Sequence, residues 1–169
     1  MTHTISQSLL PEFDQEMANT RKVLARVPEG KGDFRPHPKS YTLARLAGHV
    51  AEMPLWAVMT LNHDELDLRP GGVAPFQAYT FTTQAEALAM FDENTAKARS
   101  TLEATGDEAM MRKWTLKDNG RDIFALPRVA VLRSFVMNHM IHHRAQLGVY
   151  LRLNDVAVPG IYGPSADEQ

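Results

Sequence analysis

An all-α helix bundle is the fold class this sequence predicts, on three observations. Four segments carry apolar residues at three-to-four spacing, and stretches rich in Pro, Gly and polar residues separate them. The chain of 169 residues, 44% hydrophobic and 22% charged, suits a single domain over 1–169 that buries one core. The one addition read from the pattern is a small β-hairpin between the third and fourth helices, with an irregular loop around an isolated Asn-Gly turn as the alternative.

The first helix runs by pattern from about residue 5 to Val27, with Leu10, Phe13, Met17, Thr20, Leu24 and Val27 on one stripe. "PEGKGDFRPHPKS" stops it. The second starts near Ser40 or Thr42, either able to accept a bond from a free backbone N–H, and continues to about Leu61. Its stripe holds Leu46, His49, Val50, Met53, Trp56 and Ala57, and Pro54 predicts a kink just after His49, because it removes an N–H and crowds the Val50 carbonyl.

"NHDELDLRPGGVAPFQAY" follows as a crossover loop or a lid. Thr83 and Glu86 have capping-box spacing and open the third helix, whose face carries Leu88, Phe91, Thr95, Ala98 and Leu102 and which ends near Gly106. In "WTLKDNGRDIF", Asn119-Gly120 suits the positive φ angles of a two-residue hairpin turn, with Trp114 and Ile123 as its packing residues. The fourth helix begins after Pro127 and reaches about Leu153.

Composition narrows the function. A net charge of −2 without a basic block gives no footprint for nucleic acid or anionic lipid. The absence of cysteine removes disulfides, thiolate ligands and a catalytic thiol of the protein's own, so a bound metal must rest on nitrogen and oxygen. The N-terminal residues lack a basic start followed by an apolar run, and "LARLAGHVAEMPLWAVMTL" carries Arg45, His49 and Glu52, so a cytoplasmic protein with no membrane span is expected.

Three of the seven histidines lie within "HMIHH". On a helical wheel at about 100° per residue, His143 falls about 40° from His139, with Gln146 and Tyr150 in the same sector, while His142 sits at its edge. Residues four apart can converge on one ion, although the intervening Glu of an HExxH metal helix is missing and Met140 stands in its place. Two helical histidines are ordinarily hydrogen-bonded core or surface residues. A third inward histidine, His49 on another long helix, makes His49, His139 and His143 the candidate metal ligands.

Trp56, Gln146 and Tyr150 are the substrate-pocket candidates, and no catalytic residue is singled out. Glu52, one turn after His49, is read as a solvent-facing helix position, with orienting a ligand or acting as a base as the alternative, and His3, His37 and His63 as solvated. Arg144 points away from the His139 sector and is expected to pair with a carboxylate at an interface or tail. The "PGIYGPSADE" tail either folds back beside the site or caps the bundle end.

The ordered set "LARLAGHVAEM", "WTLKDNGRDIFALPR", "HMIHHRAQLGVYLRL" and "VPGIYGPSADE" resembles the DinB superfamily, the damage-inducible and YfiT-like proteins, from about residue 8 to Glu168. The resemblance implies an up-down-down-up four-helix bundle, usually a homodimer, with one divalent metal, nickel or zinc foremost, on three histidines. Position by position these are His49, His139 and His143; where many members read HRGQ, this chain has His143-Arg144-Ala145-Gln146. The implied activity is metal-dependent transfer of a low-molecular-weight thiol to a small electrophile. The alternatives are a metal-dependent hydrolase and a non-catalytic metal-binding stress-response protein.

Overall fold

Side-chain hydrogen bonds from threonines open three helices of the bundle, and the computed structural model describes residues 3–168. Helix α1 spans Ile5–Leu24 behind a reciprocal cap, in which the Thr4 hydroxyl accepts from Gln7 N and the Gln7 amide oxygen accepts from Thr4 N. The helix stops short of Val27 because the amides of Arg26 and Val27 bond back to Val23 and Leu24 in tighter turns, yet Val27 remains buried on the stripe.

Of the two candidate starts for the second helix, Thr42 is the cap: its hydroxyl accepts from Arg45 N at 3.2 Å. Pro54 breaks the helix rather than merely kinking it, leaving α2 at Leu43–Glu52 and α3 at Pro54–Asn62. The break falls at Met53, one turn later than the expected kink just after His49. Met53 N still reaches His49 O at 3.2 Å, so α2 stays regular through His49.

Helix α4, Gln84–Ala104, is capped by Thr83, which accepts from Glu86 N. The expected return bond of a capping box is replaced: the Glu86 carboxylate accepts from the Thr82 hydroxyl instead. A short α5, Asp107–Met111, follows.

The expected hairpin is present and larger. Strands β2 (Lys113–Asp118) and β3 (Arg121–Pro127) pair antiparallel, and β1 (Glu65–Asp67), from the long connection, pairs parallel to β2. Asn119 and Gly120 take φ of 50° and 76°, and the Asp67 carboxylate accepts both of their amides at 2.9 and 2.8 Å. Trp114 is buried as expected, but Ile123 is 53% exposed. The register jumps from Leu116↔Phe124 to Lys117↔Asp122, so Ile123 is the extra residue of a β-bulge and turns outward. Phe124 takes its place, packing against Phe135 in a satellite core around Trp114, Leu116 and Val131.

The fourth expected helix is not uniform. It comprises α6 (Arg128–Val131), a wider π-helical segment (Leu132–Met137) and α7 (Asn138–Leu153). The wider turn rephases α7, so the residues at its core are Met140, Arg144, Leu147, Tyr150 and Leu151, with His139 and His143 half-buried on the flank.

The four-helix bundle thus carries a small three-stranded sheet at its side. Helices α1 and α2 each pack on both α4 and α7, and Phe13, Leu24, Leu46, Val50, Phe91, Leu147 and Leu151 fill the space between them. Among the described residues, no helix is long and apolar enough to cross a membrane.

Arg144 does find a carboxylate, but in the core. Its guanidinium donates to Glu16 Oε2 at 2.6 Å and to Tyr162 Oη at 2.6 Å, while Tyr162 Oη donates to the Glu16 carboxylate at 2.9 Å. Both charged partners are buried, so each depends on the other for solvation. This triad and a two-pronged Arg152–Asp167 pair lay the C-terminal tail along α1 and α7.

Two outcomes follow. Glu16→Ala strands the Arg144 guanidinium and destabilises the fold by about 3–5 kcal/mol in urea unfolding, whereas the apolar pair Glu16→Leu with Arg144→Met costs far less. The Asp167 carboxyl is held down to about 2, first by Arg152 and then by the Val158 N–H. Its clamp is therefore complete above the ordinary 3.8 and lost as pH falls through about 2, so the Val158 amide shift in an NMR titration has its midpoint near the lower value.

Candidate metal centre

His49 lies in the last turn of α2, and His139 and His143 lie one turn apart on α7. Because α2 packs directly on α7, the three rings meet across that seam: each offers a nitrogen, and these atoms all lie within 4.8 Å of one another. Ring centroids are 4.7 Å apart for His49–His143, 5.4 Å for His49–His139 and 4.6 Å for His139–His143. His142 touches His143 but is exposed and outside the group.

The donors fit a cation. His143 Nε2 and His139 Nε2 face each other at 2.8 Å, and His143 Nδ1 lies 2.8 Å from the Gln146 amide oxygen, an acceptor. That pairing puts the His143 proton on Nδ1 and leaves the Nε2 lone pair directed at the cluster. His49 Nδ1 and His139 Nδ1 are buried without a hydrogen-bond partner, the kind of polar group that calls for an explanation in a packed interior.

The electrostatics run the same way. Burial, and then proximity to His49, push the His139 pKa below the usual range. Burial also leads for His143, pushed down to about 4 by desolvation and the neighbouring imidazoles against the opposing Gln146 bond. Both rings are therefore neutral at pH 7 with lone pairs free to coordinate. Three imidazoles form a donor set suited to a first-row divalent metal and leave coordination positions for outside ligands.

Glu52 is not solvent-facing. Its carboxylate accepts from Tyr79 N and from Arg45 Nη1 at 3.4 Å, and its Oε2 approaches His49 Nδ1 at 3.9 Å, an electrostatic contact rather than a hydrogen bond. Burial raises its pKa, but His49, the Tyr79 amide and Arg45 outweigh that, so it is ionised. The same irregular segment of the long connection presses on α2 at Gly48, where a Cβ would stand 2.3 Å from the Tyr79 carbonyl oxygen. The connection is thus a crossover that adds β1 at one end and braces the His49 turn at the other.

The pocket candidates divide. Gln146 and Tyr150 line a cavity of about 380 Å³ together with Lys39, Ser40, Tyr41, Leu46 and His143. The Tyr150 hydroxyl donates to the Tyr41 carbonyl, fixing the segment that forms the cavity's far wall. Trp56 lies elsewhere: it stacks near His49, His139 and Phe135, with centroids 6.2, 6.0 and 4.9 Å away, and walls the histidines on their other side. Sequence reasoning missed residues 39–41, because an aperiodic loop carries no signal of what it faces.

His3, His37 and His63 are exposed, as expected. The tail folds along the bundle at Arg144 and Arg152, and among the described residues none of it lines the cavity beside the histidines.

Comparison with known proteins places these features. A model described as "DinB family" matches residues 1–169. The uncharacterised protein YrdA of Bacillus subtilis (strain 168) is 26% identical over 162 residues, covering 94% of this chain and 89% of that protein. Two crystal structures share the fold. A DinB-like protein (YjoA) of Bacillus subtilis has TM-score 0.64 at 19% identity and covers 96% of this chain and 99% of its own. A DinB-like protein from Bacillus cereus ATCC 10987 has TM-score 0.67 at 20% identity, with 96% and 100% covered.

The geometry predicts that His49→Ala, His139→Ala and His143→Ala each lower metal affinity at least about tenfold, while His142→Ala leaves it unchanged, measured as metal per chain after equilibrium dialysis of untagged protein. Glu52→Ala weakens binding less than loss of a histidine, through a looser His49 ring.

Proposed function

Because the chain belongs to the DinB family, we propose that it is a metal-dependent enzyme that transfers a low-molecular-weight thiol to a small electrophile, with one nickel or zinc ion on His49, His139 and His143. The observation that carries this reading is the meeting of three imidazole nitrogens, two of the rings biased neutral, beside a cavity large enough for a small molecule. When bound, such an ion supplies Lewis acidity, which lowers the pKa of an incoming thiol and so raises the fraction present as the nucleophilic thiolate.

The protein's own groups do the rest. The chain has no cysteine, so the thiol must enter from outside. His143 is held in one tautomer by Gln146, which keeps the same nitrogen facing the cluster through a reaction cycle. Trp56 and Phe135 wall the histidines on the side away from the cavity, restricting water there and leaving the cavity as the approach for both reactants. Tyr150 holds the Tyr41 segment in place and so keeps that approach open.

The homodimer implied by the resemblance and the cytoplasmic location expected from the sequence belong to the same reading, and sedimentation velocity tests the former.

The reading is tested by a thiol-conjugation screen over alkylating and epoxide electrophiles with metal-loaded and chelator-stripped protein. Thiol consumption should require metal and fall roughly a hundredfold or more in His139→Ala, since loss of a Lewis acid worth several kcal/mol corresponds to that change in rate. Metal-dependent turnover without thiol would replace this reading with hydrolysis. No turnover across the panel would leave a metal-binding protein.

A further inference from the structure

The cavity beside the histidines has a lopsided chemistry. Lys39 is its one formal charge among the lining residues, and no carboxylate lines it. The exposed Lys39 ammonium has no ion-pair or hydrogen-bond partner among the described residues. What distinguishes Lys39 is the company it keeps at this opening.

The neighbouring polar groups are donors too. Because His143 Nδ1 donates to the Gln146 amide oxygen, that oxygen is occupied and the Gln146 NH₂ is the end left for a ligand. The hydroxyls of Ser40 and Tyr41 have no hydrogen-bond partner among the described residues, and Tyr41 also sits against His49, with ring centroids 6.3 Å apart. Arg45 lies over the Tyr41 ring at 5.5 Å, adding positive potential behind it, although Glu52 partly offsets its charge. A cation, an amide N–H and two hydroxyls around one opening recognise an acceptor-only, negatively charged group.

We propose that this cavity is a carboxylate-binding subsite, in which Lys39, with the Gln146 amide and the Ser40 and Tyr41 hydroxyls, receives the carboxylate of a small substrate whose reacting end lies at the histidines. The proposal rests on the catalytic reading above and deepens it by naming the substrate class. The carboxylate belongs either to the thiol or to the electrophile, and His143 itself lines the cavity, so one small molecule touching the lining can meet both Lys39 and that histidine. Lys39 acts by binding and orientation, not by proton transfer.

The test uses the full chain loaded with cobalt(II), whose visible spectrum reports ligands at the histidines. In one arm the protein is titrated with 3-mercaptopropionate and with neutral 3-mercaptopropionamide. In the other it is titrated with succinate and with succinamide at saturating 2-mercaptoethanol. A preference of about fivefold for the carboxylate over the amide, removed by Lys39→Ala and reversed by Lys39→Glu, supports the subsite, and the arm that shows it identifies which reactant carries the group. Equal affinity in both arms, or a preference that survives Lys39→Ala, overturns it. Lys39 is exposed and touches none of the three histidines, so its variants are expected to fold and bind metal normally. Repeating the titrations on metal-free protein, read by amide shifts of residues 39–41 and 146, separates the two failures: a missing cobalt spectrum sinks the metal reading, whereas absent Lys39-dependent shifts sink the subsite.

Discussion

Everything at the candidate centre depends on the rotational setting of α7 against α2. Three ring nitrogens lie within 4.8 Å because one helix presents two histidines a turn apart while the other presents a third at the same height. A rotation of α7 by one residue, about 100°, would carry His139 and His143 off the seam entirely. The setting is held from the opposite side of the helix. Arg144, the residue after His143, is buried against Glu16 and Tyr162, and a guanidinium in that position cannot be turned away without leaving a bare carboxylate in the core. One buried ion pair therefore aims two imidazoles it never touches.

The other half of the centre is braced in a comparable manner. His49 lies in the last turn of a helix that Pro54 prevents from continuing, and a helix end is easily frayed. Here the connection from α3 to α4 returns across α2, with Tyr79 donating to Glu52, Arg45 donating to the Tyr79 carbonyl and Phe81 N bonding to the Ala44 carbonyl. Gly48 makes the close approach possible, since a side chain there would occupy the Tyr79 carbonyl. The glycine weakens the helix by about 1 kcal/mol relative to alanine, a cost the strap contacts offset.

The features read correctly from the sequence share a short range. Thr42 and Thr83 cap helices through hydroxyls that reach amides three residues on, and Asn119-Gly120 turns a hairpin because these residues tolerate positive φ; Pro54 disturbs its helix as read, but as a break at Met53 rather than a kink after His49. The misreadings share a long one. Ile123 faces outward because of a bulge set by pairing across two strands, and Glu52 turns inward because of a loop residue 27 positions away. The π-helical segment before α7 likewise escapes a wheel drawn at constant pitch, which is why the histidines sit on the flank of the apolar stripe and Arg144 within it.

By itself the sequence determined the helical class, the main helix starts, the hairpin turn and the three histidines worth bringing together, since propensity, capping and periodicity act within a few residues. Only the tertiary structure decided that β1 joins the hairpin from about fifty residues upstream, that Lys39, Ser40 and Tyr41 form a wall beside His143, and that Arg144 is a core residue. Those outcomes turn on which surfaces can be buried together at once, and that is a property of the packed chain as a whole rather than of any segment within it.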